Sequence, residues 1–197
     1  MFKLGLTGSI GMGKSAAAAM FRAAGVPVHD ADEVVHALYR GRAAPLIGAA
    51  FPGTVIDGTV DRALLSKVLF EDESRLRALE RIVHPLVREE RDAFLAENAY
   101  APVVILDIPL LFETGGERDT DAVALVSAPE SVQSDRVLAR PGMTEEKFRA
   151  ILGKQMPDSE KRRRAHFLIE TGFGFAYAER RVRAVLRAIA GRSGRTE

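Results

Sequence analysis

The chain has no cysteine in its 197 residues, which removes disulfides, thiolate catalysis, iron–sulfur clusters and cysteine-based zinc sites together. That usage fits a reducing compartment, and a cytoplasmic protein is expected. Net charge is also scarce: 28 Lys+Arg stand against 27 Asp+Glu, a formal +1. No global field recruits nucleic acid or an anionic membrane, so any anion site must come from local placement of cations. No apolar run approaches the roughly 18 residues needed to cross a bilayer. The opening MFKLGLTGSIGMGKS turns to glycine early and has no signal-peptide cleavage pattern. Neither nucleic acid nor a membrane is expected as a partner, and nothing in the sequence fixes an oligomeric state. The histidines, at 29, 36, 84 and 166, include no pair with metal-ligand helical spacing, which argues against zinc.

What is present suits a folded protein. Hydrophobic residues make up 47% and charged ones 28%, an ordinary composition for a soluble domain. A chain of this size buries about 70% of the surface its unfolded form exposes, so its core needs no staples. Residues 2–6 read as a buried strand that ends at a glycine-rich turn. Residues 14–24 read as an alanine-rich helix stopped by Gly25 and Pro27, and residues 26–29 as a second strand. Strand, helix, strand in so short a stretch is a βαβ unit with a right-handed crossover, hence a parallel sheet. Further apolar runs at 103–106, 123–126 and 167–169 read as strands covered on both faces.

The expected core therefore comprises 1–30, 99–128 and 166–197. Residues 31–98 are too long for one crossover and read as a helical insertion. Its helices are expected at 32–40, 63–70, 74–83 and 86–98, the last two separated by Pro85. Residues 129–165, poor in apolar side chains and rich in arginine, read as a mobile arm. An amphipathic helix over 176–190 and a frayed tail over 191–197 close the chain.

Gly8-Ser-Ile-Gly-Met-Gly-Lys-Ser15 matches G-x-x-x-x-G-K-[ST], and it stands where the motif requires, after a strand and opening a helix. Glycines let successive backbone N–H groups turn inward around a phosphate. The first N–H groups of the helix lack internal acceptors and add the positive end of its dipole. Lys14 supplies a point charge to the β/γ-phosphates, and the Ser15 hydroxyl suits Mg²⁺. The motif calls for ATP or a similar purine triphosphate with Mg²⁺. No N-K-x-D follows a later strand, and the chain is short for a motor or helicase. The insertion and the arginine-rich arm favour a kinase of small molecules, in which a positive lid excludes water during transfer.

Other residues frame that chemistry. Asp30-Ala-Asp32 follows the second strand at the sheet's carboxyl edge, where open α/β folds bind ligands. Asp30 reads as the structural member, a helix cap; Asp32 reads as the one that accepts a proton or holds the metal. Asp107 ends the third strand and either completes the metal shell or caps the turn after it. Arg136 and Arg140, four apart, are expected to share a helix face and point at phosphates. Lys161-Arg-Arg-Arg164 reads as a solvated helix face, and His84-Pro85 as a turn or cap between helices.

LTGSIGMGKS, V-H-D-A-D around Asp32, V-H-P-L-V at 83–87, D-I-P-L-L-F-E at 107–113 and R-x-x-x-R at 136–140 followed by Gln155 occur in that order. Together they closely resemble the dephospho-CoA kinase family over residues 4–172. The resemblance implies an α/β protein: a P-loop NTPase-type parallel sheet flanked by helices, with a helical acceptor domain and a lid. It implies transfer of the ATP γ-phosphate to the ribose 3′-hydroxyl of dephospho-CoA, giving coenzyme A and ADP. By position it implies Asp32, Lys14 and Arg140 as catalytic residues. Gly8, Gly11, Met12, Gly13, Lys14, Ser15, Ala16 and Arg136 would bind ATP. Asp32, His84, Pro109, Leu110 and Leu111 would line the acceptor pocket, and Ser15 with Asp107 would hold Mg²⁺. The sequence departs from the family pattern at three places: Ala16 replaces a usual Thr, His166 a usual Asp, and Glu170-Thr-Gly172 a usual I-D-N-x-G-like turn. Another small-molecule or nucleotide kinase of the same fold, or a nucleotide-binding module without turnover, remains the alternative. An acceptor panel separates the first; the retention of Asp32 and two arm arginines speaks against the second.

Overall fold

The computed structural model describes residues 1–70, 72–192 and 194; most of the expected C-terminal tail, Ser193 and 195–197, lies outside the described residues. The chain runs β1 (Phe2–Thr7), α1 (Lys14–Ala23) and β2 (Val28–Asp30), then α2 (Ala31–Tyr39), α3 (Ala43–Ala50), β3 (Val55–Ile56), β4 (Thr59–Val60), α4 (Arg62–Phe70) and α5 (Glu73–Glu97). It returns through β5 (Val103–Asp107), β6 (Ala122–Ser127), α6 (Glu130–Leu138), α7 (Glu145–Leu152), α8 (Asp158–Arg164), β7 (Phe167–Glu170) and α9 (Phe175–Ile189). These elements form two compact units. One holds Met1–His29 and the chain from Asn98 onward, including residues 129–165; the other is Asp30–Glu97.

The first unit is built on a five-stranded sheet of order β2-β5-β1-β6-β7. β1 lies in its middle and pairs in parallel with β5 and β6, and β6 pairs in parallel with β7. The strands are short apolar runs because both faces are covered: every residue of β6 is buried. Leu4, Leu6, Phe21, Ala124, Val182 and Ile189 share one core. α9 supplies Ala178, Val182, Val185 and Ile189 to it, at the spacing of one helical face.

In the second unit, Leu38, Ile47, Phe51, Leu65, Val83 and Leu86 belong to a separate core. Two elements depart from expectation. α3 forms over a stretch read as a connection; Pro45 is tolerated because it lies in the first turn, where its missing N–H has no intrahelical partner to lose. The two helices expected on either side of Pro85 are one continuous helix, α5. A single proline removes one backbone hydrogen bond, and the apolar stripe Leu79, Val83 and Leu86 is buried on both sides of it. Packing of that stripe outweighs the local break. The β3–β4 hairpin was also unanticipated. Its turn is Asp57-Gly58, with φ of 48° and 75°, the double positive φ of a type I′ turn.

Candidate active site

β1 delivers the glycine-rich loop to the carboxyl end of the sheet, and α1 begins at Lys14. Gly13 caps α1 in the left-handed region with φ of 90°. Gly11 has φ of 77°, and a Cβ there would come within 2.5 Å of Val137 Cγ2, so side-chain-bearing residues are excluded twice over. The parallel register sets Leu6 opposite Asp107, which brings the end of β5 beside the loop. Lys14 Nζ lies 2.7 Å from Asp107 Oδ1, and the carboxylate side chain is fully buried. Ser15 is exposed in the first turn of α1, and Ala16 is half-buried behind it.

The outer side of the loop is held by side chains from far along the chain. Gln133 Nε2 donates to Ile10 O at 2.7 Å, and Ile10 N–H donates to Gln155 Oε1 at 3.1 Å. Thr171 Oγ1 donates to Met12 O at 2.7 Å, and the Met12 side chain is buried. Arg136 reaches Gly11 O, and its guanidinium also donates to Thr171 Oγ1 at 2.9 Å and Thr171 O at 2.8 Å. Here Arg136 grips the back of the cradle. Arg140 does not share its helix: α6 ends at Leu138, and Arg140 is exposed in the bend before Pro141-Gly142. A residue before proline is pushed out of the helical region, which accounts for the early stop. Gln133 and Thr171 escaped the sequence reading. Gln133 had a usable signal, lying three residues before Arg136 on the same helical face; Thr171 had none beyond its unusual turn.

On the other unit, Asp30 caps α2, its carboxylate accepting from the N–H groups of Asp32 and Glu33 at 3.0 and 3.2 Å. Asp32 is exposed in the first turn, where a negative charge is favoured by the helix dipole. His84 and Pro85 lie within α5 and line a groove of about 560 Å³ with Arg77, Arg81, Arg88 and Glu80. Four and seven residues apart, the three arginines share one helical face.

After β5, Pro109 O accepts from the buried Thr7 hydroxyl at 2.9 Å. Leu110 is exposed. Leu111, expected in a pocket wall, is instead fully buried and packs with Phe112 and Val123. The turn that starts at Pro109 tucks it under the sheet, so it serves as core.

Of the Lys161–Arg164 run, Arg162, Arg163 and Arg164 are exposed as expected of a solvated face, and Lys161 departs from it. Lys161 is fully buried, 2.8 Å from Glu113 Oε1. Arg162 pairs with Asp158, which also accepts from Ser127 Oγ. Arg164 pairs with Glu117 and lies over the Phe112 ring. Burial pushes the Glu113 carboxyl up, but the Lys161 ammonium and the Met156 N–H more than offset this and hold it below the usual glutamate range. His166 Nδ1 accepts from the Val123 N–H at 3.2 Å.

Among the described residues, no helix is long and apolar enough to cross a membrane. The dephospho-CoA kinase family model matches residues 2–174. A dephospho-CoA kinase of Mesorhizobium japonicum is 59% identical over 98% of this chain and 100% of its own length. One from Rhodopseudomonas palustris is 54% identical over 96% of both chains. The crystal structure of TT1252 from Thermus thermophilus superposes with a TM-score of 0.86 at 40% identity, covering 96% of this chain and 98% of that one. With nearly its whole length matched and the family's motifs in order, the chain belongs to the dephospho-CoA kinase family.

Proposed function

We propose that this protein transfers the γ-phosphate of ATP to the ribose 3′-hydroxyl of dephospho-CoA, forming coenzyme A and ADP. Among the structural observations, the one that carries most is the P-loop of a dephospho-CoA kinase family member with Lys14 already drawn to the sheet's carboxyl edge, 2.7 Å from Asp107. In the reaction the 3′-oxygen forms a bond to the γ-phosphorus, the bond to the β–γ bridging oxygen breaks, and the hydroxyl proton passes to Asp32. Asp32 suits that role as an exposed carboxylate two residues beyond the end of β2. Lys14 follows the charge on the moving phosphoryl group, and the inward N–H groups of the loop hold the rest of the triphosphate.

Ser15 and Asp107 offer only oxygen donors, hydroxyl and carboxylate, which fits Mg²⁺. When bound, Mg²⁺ would neutralise phosphate charge, with Ser15 as direct ligand and Asp107 acting on its shell. Among the described residues no group of three or more His, Cys, Asp or Glu gathers into a metal site. An ion that takes most of its ligands from phosphate and water needs no such group.

The groove on α5 supports an acceptor role for His84 and Pro85, since its cations complement the diphosphate that links the two halves of dephospho-CoA. Residues 129–165 form the lid in this reading, with Arg140, exposed and beyond the end of α6, as its mobile cation. Cytoplasmic residence accords with the absence of cysteine and with both substrates being soluble metabolites.

The deciding experiment incubates the purified protein with ATP and Mg²⁺ plus dephospho-CoA, a nucleoside monophosphate or shikimate, and assays CoA and ADP. CoA and ADP formed one to one, with dephospho-CoA alone as acceptor, is the expected result. ADP formed with another acceptor instead, or tight ATP binding without turnover, overturns the proposal.

A further inference from the structure

A phosphate cradle imposes a requirement on its own far side. If N–H groups are to face the ligand, the carbonyls of the same peptides must face away, and buried carbonyls need donors. Ile10, in the middle of the loop, has both of its backbone groups engaged by side chains, its carbonyl in the way just described. Its carbonyl accepts from Gln133 Nε2 at 2.7 Å, and its N–H donates to Gln155 Oε1 at 3.1 Å. Gln133 comes from α6 and is 4% exposed; Gln155 follows α7. Both belong to the 129–165 segment, and both line one cavity of about 490 Å³ with Ser9 and Met12. A backbone carbonyl can only accept and an N–H can only donate, so the orientation of each side-chain amide is fixed by its partner.

We propose that Gln133 and Gln155 are positioning residues that clamp Ile10 and so hold the P-loop backbone in its phosphate-binding shape, coupling the 129–165 segment to ATP affinity. Neither needs to touch the nucleotide. A nearly buried amide such as Gln133 is costly unless it is bonded, and here its bond falls on the loop and not within its own segment. The proposal rests on the reading that the loop binds ATP.

The two amides act with opposite polarity, and this makes the test sharp. Gln155→Glu keeps an acceptor for the Ile10 N–H. Gln133→Glu replaces a donor with a carboxylate facing a carbonyl. Both variants add the same charge beside the same residue, so general repulsion of the triphosphate is common to both. Gln155→Met and Gln133→Met remove each bond while filling the space, which keeps water from the adjoining cavity from taking over the role. KM for ATP, KM for dephospho-CoA, kcat and melting temperature are measured near pH 8, with ATP affinity also titrated in the absence of acceptor.

Gln133→Glu should weaken ATP binding by about tenfold or more relative to Gln155→Glu, since a charged group is left facing a lone pair. Both Met variants should raise KM for ATP severalfold while KM for dephospho-CoA stays within about twofold, a split that general destabilisation does not produce. Equal ATP affinity in the two Glu variants, or melting temperatures that fall with ATP affinity unchanged in the Met variants, overturns the clamp. A wild-type protein that binds ATP but forms no CoA overturns the proposed acceptor chemistry instead, and the acceptor-free titration still decides the clamp.

Discussion

Lys14 Nζ and Asp107 Oδ1 are 2.7 Å apart, and they join the start of α1 to the end of β5 across 93 residues of sequence. The lysine side chain keeps 13% of its exposure and the carboxylate none. A triphosphate entering the loop must therefore compete with Asp107 for the lysine, and the same contact fastens two elements of the sheet.

This pairing alters what a lysine substitution does. In the sequence Lys14 is a catalytic residue alone, and its loss would spare the fold. With Asp107 buried against it, Lys14→Ala should lower activity by about 10³-fold or more through lost stabilisation of transferring charge. It should also lower the stability of the protein, because the fully buried Asp107 carboxylate loses its contact with the lysine ammonium. Adding Asp107→Asn should restore much of the melting temperature without restoring turnover. Thermal melts and steady-state rates of the single and double variants check this; a Lys14→Ala protein as stable as wild type would show that the pair contributes nothing to the fold.

Asp30 and Asp32 are two residues apart and should fail in different ways. Asp30→Ala removes the α2 cap and should cost about 1 kcal/mol of stability. Asp32→Asn keeps the size and one acceptor oxygen but cannot take a proton, so turnover should fall by about 10²-fold or more. Its melting temperature and ATP affinity should stay near wild type. Rates and melts for the two variants separate the roles, and an Asp32→Asn enzyme with normal turnover removes Asp32 as the base.

The strands of the sheet were legible because each is a short apolar run bounded by turn residues, and the P-loop marks its own strand and helix. Asp30 and Asp32 were assigned opposite roles from position alone, and the hydrogen bonds found on Asp30 are those of a cap. Other features depend on partners that no local pattern announces. The Lys161–Arg164 run has the composition of a solvated face, yet Glu113, Asp158 and Glu117 engage three of its four residues. Leu111 belongs to an apolar motif, and only the turn at Pro109 decides that it faces the core. Proline normally ends a helix, but the long apolar stripe of α5 overrides the break at Pro85. The Asp57-Gly58 turn is different: its dipeptide is a hairpin signal, and the short strands around it concealed it.

The groove along α5 can be tested one cation at a time. Arg81→Gln and Arg88→Gln each remove one positive charge from the wall that includes His84 and Pro85. If the diphosphate of the acceptor sits there, each should raise KM for dephospho-CoA by about tenfold, the scale of one charge-assisted hydrogen bond. KM for ATP should be unaffected, and wild-type KM for dephospho-CoA should rise with salt as the charges are screened. Unchanged acceptor KM in both variants would leave the stripe as a solvated face.

Glu113 gives a pH-dependent prediction whose sign follows from its surroundings. The Lys161 ammonium and the Met156 N–H hold its carboxyl below the usual range despite burial. A carboxyl that ionises more readily in the folded than in the unfolded state contributes stability above its unfolded value, about 4.3 for glutamate. That contribution is lost as pH falls through the lower, folded value. Near pH 7 wild type should therefore melt well above Glu113→Gln, in which the fully buried Lys161 has lost its counter-charge. The gap should hold down to about pH 5 and narrow below about pH 4.3, as the wild-type carboxyl also becomes neutral. Melting both proteins from pH 7 to pH 3 gives the comparison. A gap that is constant with pH would mean that the charge on Glu113 is not what stabilises the Lys161 contact, and that the side chain acts there through its shape and neutral hydrogen bonds alone.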